Sequence, residues 1–302
     1  MNTSTSTSKG FICGILAAMA YGTNPLFSLN LLKIGIDVET ILFYRFAVAA
    51  LTLGLFIVLN GKSLIIPRRT ILPLLLAGVI FAMSSQTLYQ SFLYMDAGIA
   101  CSILFVYPIL VAIIMALFFH ERASWITYGC IFVALTGIFL LYQGDGNVSL
   151  STTGLLLVIA SSFFYAIYIV GVDHSILKTV PSGRMTFWVL VAGTLTFFVC
   201  TGFGTKLHPL ELSTNCFTNV LGVALVPTVI PILFINVAIK NIGPTYSAII
   251  GALEPVTAMA IGVCVFDEKL TVRIVIGAAL IFFAVITIVC KPILIQYFKK
   301  DK

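Results

Sequence analysis

Arg45 and Glu254 stand clearly inside long apolar runs of the chain. A charge in hydrocarbon costs roughly 2.5–3.5 kcal/mol on insertion scales, so such residues face protein or a water-filled cavity. Glu254 lies about ten residues into its run and directly precedes Pro255. Charged, it needs a cation or hydrogen-bond donors. It can couple transport to protons, anchor a substrate amine, or serve structure by accepting hydrogen bonds near the proline or pairing with Arg45. Arg45 lies about five residues into its run. It can hold a carboxylate bidentately, snorkel to the nearer interface, or join an ion pair. Asn24, Gln86, Tyr89, Tyr107, Tyr165 and Asn236 add polar and amphipathic groups within other apolar runs. They are candidates to line a cavity, where a ring stacks on a metabolite while its phenol hydrogen-bonds. The alternative use of each is interhelical hydrogen bonding.

Pro25, Pro108, Pro227, Pro231 and Pro255 interrupt apolar segments. Proline removes a backbone hydrogen bond and bends a helix, so these five are candidate hinges or static kinks. The seven cysteines are scattered with no C-x-x-C pair. They read as small buried hydrophobes, and no metal site is expected. No G-x-x-x-x-G-K-[ST], H-E-x-x-H or G-x-S-x-G occurs, so neither ATP hydrolysis nor enzymatic catalysis is expected, and no cofactor.

The elements that carry these residues follow from composition. Of 302 residues, 60% are hydrophobic and 9% charged, with mean hydropathy +1.12. Soluble domains carry about 25% charge. Lipid is therefore the main solvent of this surface, and the net charge of +6 marks membrane sides, not a nucleic-acid partner. With about 20 apolar residues per span, the chain divides into ten: 11–32, 40–60, 71–94, 97–119, 125–142, 152–171, 185–204, 217–240, 244–266 and 272–295. Lys9, a short apolar run and Ala18-Met19-Ala20 have the outline of a cleavable leader. The apolar stretch continues to Leu32, which favours a retained span. With the N-terminus inside, twelve of the 17 Lys and Arg fall on the inner side. Lys33, Lys206, Lys269 and Arg273 fall outside, and Arg45 lies within a span. That bias places both termini in the cytoplasm.

The two halves resemble each other. Phe119-His120-Glu121-Arg122 closes span four, and Phe266-Asp267-Glu268-Lys269 closes span nine 147 positions later. Pro108 falls on Pro255 at that offset, while Gly10 and Tyr21 match Gly154 and Tyr165 at an offset of 144. The halves divide at 1–146 and 147–302. An odd number of spans per repeat makes the copies enter the membrane from opposite sides. The expected fold is an all-α membrane protein of ten transmembrane helices in two inverted five-helix repeats. Its substrate site is expected near the midplane between them. The two Glu-basic pairs are read as helix-ending structure, with a gate as the alternative.

"YGTNPLF" in span one, "FYRF" at 43–46, "LYQSFLYMDAGIA" at 88–100 and "LEPVTAMAIGVCVFDEKLT" at 253–271 resemble the drug/metabolite transporter superfamily, in particular its EamA branch. The resemblance covers the whole chain, and the last motif is its most specific part. The first half departs from the second at one position: Tyr107 precedes Pro108 where Glu254 precedes Pro255, so one half alone carries the acid. The resemblance implies a central cavity and the transport of small metabolites, often export of amino acids or related compounds, from a multi-pass protein of the plasma (inner) membrane. Protons are the candidate coupling ion, and the assembly is a monomer or homodimer. A sugar-nucleotide or other anionic-metabolite carrier of the same superfamily is the nearest competitor. Its substrate calls for several basic cavity residues, against the lone Arg45. A channel needs a filter-like loop, which the sequence lacks.

Overall fold

The computed structural model describes residues 3–119, 125–142, 151–209, 214–235, 237, 238, 241, 250, 251 and 253–300, with side chains except at 3–7, 127, 141, 142, 214, 215 and 288–300. Among these residues the only regular structure is helical. In chain order the helices are α1 (Thr3–Gly22), α2 (Asn24–Lys33), α3 (Val38–Leu59), α4 (Ile71–Ser91), α5 (Ala97–Leu104), α6 (Tyr107–Phe118), α7 (Trp125–Tyr142), α8 (Thr152–Asp173), α9 (Ser182–Cys200), α10 (Thr214–Ala224), α11 (Leu253–Phe266) and α12 (Val272–Lys300). Short 3-10 turns stand at Arg68–Thr70 and Ile176–Thr179, and a π-helical turn at Leu225–Val229 follows α10. Among the described residues seven helical stretches are long and apolar enough to cross a membrane, and three shorter apolar helices stand at Tyr128–Leu140, Leu253–Phe266 and Val272–Thr287.

These helices are apolar on both faces, as lipid requires. Along α3, Leu53 is 1% exposed, while Leu51 is 73% and Leu55 60% exposed. In water the outer leucines would be a large liability. In hydrocarbon they are the solvated face. Helix association then relies on close packing and buried polar contacts rather than on the hydrophobic effect. Gly193 of α9 receives the Phe46 ring of α3, and Gly54 of α3 receives the Phe187 ring of α9. Ser84 of α4 and Ser161 of α8 donate to each other's carbonyls at 3.0 and 2.7 Å.

The pattern of neighbours carries the repeat. The third span (α4) packs on the sixth (α8), as the eighth (α10) packs on the first (α1–α2). The third packs on the seventh (α9), as the eighth does on the second (α3). The fourth (α5–α6) packs on the sixth, as the ninth (α11) does on the first. The second–seventh, fourth–ninth and fifth–tenth pairs map onto themselves. Exchanging each span with the one five places on therefore carries these pairs onto one another.

Two predicted spans are not continuous. The first breaks at Thr23, between α1 and α2, and the fourth at Phe105 and Val106, between α5 and α6. Pro25 and Pro108 sit in the first turn after each break, where a missing N–H removes no intrahelical bond.

Candidate functional site

The cavity follows from these breaks. It lies between the halves and gives about 100 Å³ of room to the centres of water-sized molecules, enough for several waters. The first half contributes Tyr21, Asn24, Arg45, Phe81 and the short stretch Ser84–Ser85, with Tyr107 at the start of α6. The second contributes Tyr165 and Glu254. Three of the prolines lack the N–H for a carbonyl four residues back, and another donor approaches each of these carbonyls. Pro108 lacks the N–H for Leu104 O, and the Ser162 hydroxyl of α8 is shared between that carbonyl at 3.2 Å and Val158 O of its own helix at 3.0 Å. Pro227 lacks the N–H for Val223 O, and the Thr228 hydroxyl donates there at 3.0 Å. Pro255 lacks the N–H for Gly251 O, and the Glu254 amide donates there at 2.9 Å. Hydroxyls thus lie against the carbonyls that Pro108 and Pro227 leave free.

Arg45 is only 7% exposed. Its Nε donates to Thr228 Oγ1 at 3.0 Å, and its Nη1 donates to Tyr89 Oη at 2.8 Å and Asn24 Oδ1 at 3.4 Å. Tyr89 donates in turn to Asn24 Oδ1 at 2.6 Å. The guanidinium is buried and forms no ion pair among the described residues. Neutral acceptors from three other spans aim it into the cavity. Glu254 sits in the first turn of α11, where the helix dipole favours a negative charge. Its carboxylate accepts no hydrogen bond from any described residue, and no ion pair joins it to Arg45. The cavity is therefore lined by a guanidinium and a carboxyl group with no ion pair between them among the described residues. Tyr21, Tyr107 and Tyr165 surround them, with no hydrogen-bond partner for their hydroxyls among the described residues. Tyr107 meets Tyr165 edge-on at 4.7 Å between ring centroids. Gly22 lets span one touch α11 here: a Cβ at Gly22 would lie 2.5 Å from Glu254 O and from Thr257 Cβ.

Asn24, Arg45, Tyr107, Tyr165 and Glu254 thus meet at one site. Tyr89 stands behind it, fully buried, as the support of Arg45. Gln86 lies elsewhere: its Nε2 donates to Glu39 of α3, and its Oε1 is buried without a partner. Asn236 lies outside the described residues, as do Glu121 and Arg122. Sequence reasoning missed Tyr21, Phe81 and Thr228 as site residues. Tyr21 carried a signal, since it aligns with Tyr165 in the repeat. Thr228 carried none, because its role depends on a carbonyl that Pro227 orphans. Pro231 follows the π turn and is buried.

A further contact joins the halves where span four begins and span nine ends. The Glu268 carboxylate accepts from the Ala97 and Gly98 amides of α5 at 2.9 and 3.3 Å. It caps that helix from the far half, while Asp96, the residue at the N-cap position, makes no side-chain cap. Gly98 and Gly262 leave its slot open; a Cβ at either would crowd the carboxylate. Burial raises Glu268 above the usual carboxylate value, and Asp96 adds to this against the two amide bonds. Burial raises Asp96 as well. Nearby, Lys33 Nζ lies 4.5 Å from the centroid of the Phe266 ring. Asp37, the cap of α3, holds His208 Nε2 at 3.3 Å. Glu268 thus pairs across the repeat interface and not with its neighbour Lys269.

A family model for EamA-like transporters matches residues 8–143 and again 152–290. The chain belongs to the EamA-like transporter family. This EamA-like chain is therefore a multi-pass membrane transporter. It is similar to the uncharacterised transporter YdfC of Bacillus subtilis, 26% identical over 75% of this chain and 74% of that protein. An uncharacterised transporter of Archaeoglobus fulgidus is 25% identical over 90% of this chain and 93% of its own length. The uncharacterised inner membrane transporter YedA of Escherichia coli K12 is 26% identical over 81% and 79%. One crystal structure shares the fold with a TM-score of 0.66 at 16% identity, covering 93% of this chain and 96% of its own.

Proposed function

We propose that this EamA-like transporter is a secondary carrier for a small zwitterionic metabolite, such as an amino acid or related compound, moved outward by alternating access of two inverted five-helix halves. The observation that carries the reading is the presence of Arg45 and Glu254 in one cavity without an ion pair between them. A buried charge is costly unless matched. A zwitterion matches both at once, its carboxylate on Arg45 and its ammonium on Glu254, with the tyrosines on its body. Glu254 is also the coupling residue, since a carboxylate open to the cavity can take a proton when substrate leaves. Pro25, Pro108, Pro227, Pro231 and Pro255 serve as hinges, and the Glu268 bridge keeps one mouth shut until the halves rock apart. The charge bias supports an inner-membrane protein with both termini in the cytoplasm.

Uptake into inverted membrane vesicles tests this, using labelled amino acids, purines and sugars with and without a pH gradient. Saturable uptake of a zwitterion, driven by the gradient, is the expected result. Uptake of anionic sugars alone would remove the zwitterion assignment, and single-channel currents would remove the carrier.

A further inference from the structure

A second cleft of about 220 Å³ lies away from the cavity and shares no lining residue with it. It opens between the end of α3, the loop that follows, and the start of α9. Its rim is cationic: Lys62 and Arg184 stand there with Asn60 and Ser63. Its walls are apolar, formed by Leu53, Phe56, Ile57 and Leu233. No carboxylate lines it. Arg184 uses one donor on Ile65 O at 3.0 Å, and the Lys62 ammonium has no partner among the described residues. Asp173, which follows span six to the same end of the helices, is already held by Lys178 at 2.8 Å and His174 at 3.5 Å. Beside Gly183 the cleft is roomy, since a Cβ there would meet only Ile57 Cδ1, at 3.9 Å.

We propose that this cleft holds one anionic phospholipid of the surrounding leaflet, its phosphate between Lys62 and Arg184 and an acyl chain along Leu53, Phe56, Ile57 and Leu233. The layering decides the occupant. The two cations lie where α3 leaves and α9 enters the span region, at headgroup level, and the apolar wall runs from there along the span. A free phosphate would satisfy the rim and leave that wall wet. A zwitterionic lipid would bring its own ammonium against the two cations. Basic side chains at the surface of an anionic leaflet each strengthen binding by about fivefold, and the acyl contact adds burial that a free anion lacks.

Native mass spectrometry of the full purified chain tests the site, with phosphatidylglycerol and phosphatidylcholine of identical chains as probes. The wild type is expected to retain phosphatidylglycerol about tenfold better. Lys62→Gln should lower that retention about fivefold, and Lys62→Gln with Arg184→Gln should bring it to the phosphatidylcholine level. Because Arg184 also holds the 62–67 loop, the single Lys62 variant, which breaks no hydrogen bond, is the decisive one. Millimolar inorganic phosphate should displace nothing. Equal retention of the two lipids, an unaffected Lys62 variant, or displacement by inorganic phosphate would each overturn the lipid site.

Discussion

Arg45 gains its orientation from three neutral acceptors rather than from a carboxylate. An ion pair with Glu254 would have compensated both charges and left nothing for a solute; Thr228, Tyr89 and Asn24 hold the guanidinium while leaving its charge available. Arg45→Lys should therefore fold but bind poorly, since an ammonium cannot reproduce the planar fork. Loss of one charge-assisted hydrogen bond, about 1.5–3 kcal/mol, corresponds to a KM raised at least tenfold for a carboxylate substrate, read by vesicle uptake. Tyr89→Phe removes one acceptor and keeps the ring, so a smaller rise is expected. Glu254→Gln keeps size and loses charge; uptake should lose its pH dependence and most of its rate. Unchanged pH dependence in that variant would exclude Glu254 as the coupling residue.

At the scale of elements, the breaks set where the cavity lies. A continuous helix offers no free backbone at its middle, whereas α2, α6 and α11 all begin beside the cavity. The hydroxyls at the bends are part of the device. Thr228→Val leaves Val223 O unpaired and takes a support from Arg45; we expect a loss of about 1–3 kcal/mol in stability, seen as a lower melting point in detergent, together with weaker substrate binding. Gly193→Ala drives a methyl into Phe46 and should cost about 1–3 kcal/mol by overpacking. The Glu268 bridge has a pH sense. Its carboxyl is raised while the mouth is closed and returns toward the ordinary value of about 4.3 once solvated. The closed form therefore binds the proton more tightly. Closure is favoured below the ordinary value and weakens as pH rises through the raised one. In a variant keeping only Cys101, which lines the cavity, labelling by an impermeant thiol reagent from the Glu268 side should rise with pH across that interval. Glu268→Gln should flatten the profile once normalised for thiol ionisation.

Over the whole molecule, the exchange of each span with its counterpart five places on connects architecture to mechanism. Five is odd, so equivalent helices run oppositely through the bilayer, and a conformation of one half has its mirror in a conformation of the other. Reporter fusions or cysteines placed at the two termini should both map to the cytoplasmic face, as the basic bias requires. Termini on opposite faces would remove the inverted repeat.

Composition alone determined the solvent, and hydrophobic run length determined ten apolar helices, because both are set by transfer free energy summed over local sequence. The repeat was legible in Pro108 and Pro255 and in the two Phe-x-Glu-basic ends, since these residues recur at a fixed offset. The exceptional character of Arg45 and Glu254 was legible too, because charge in an apolar run is costly wherever the helix points. What they do there was not. Whether Arg45 reaches an interface, a carboxylate or a cavity depends on the rotation of its helix and on Thr228, 183 positions away. Gln86 shows the same limit from the other side: its type suits a cavity, yet its helix face turns it to Glu39. Local sequence sets what a residue costs in lipid, and only the packing of distant helices decides which neighbour repays that cost.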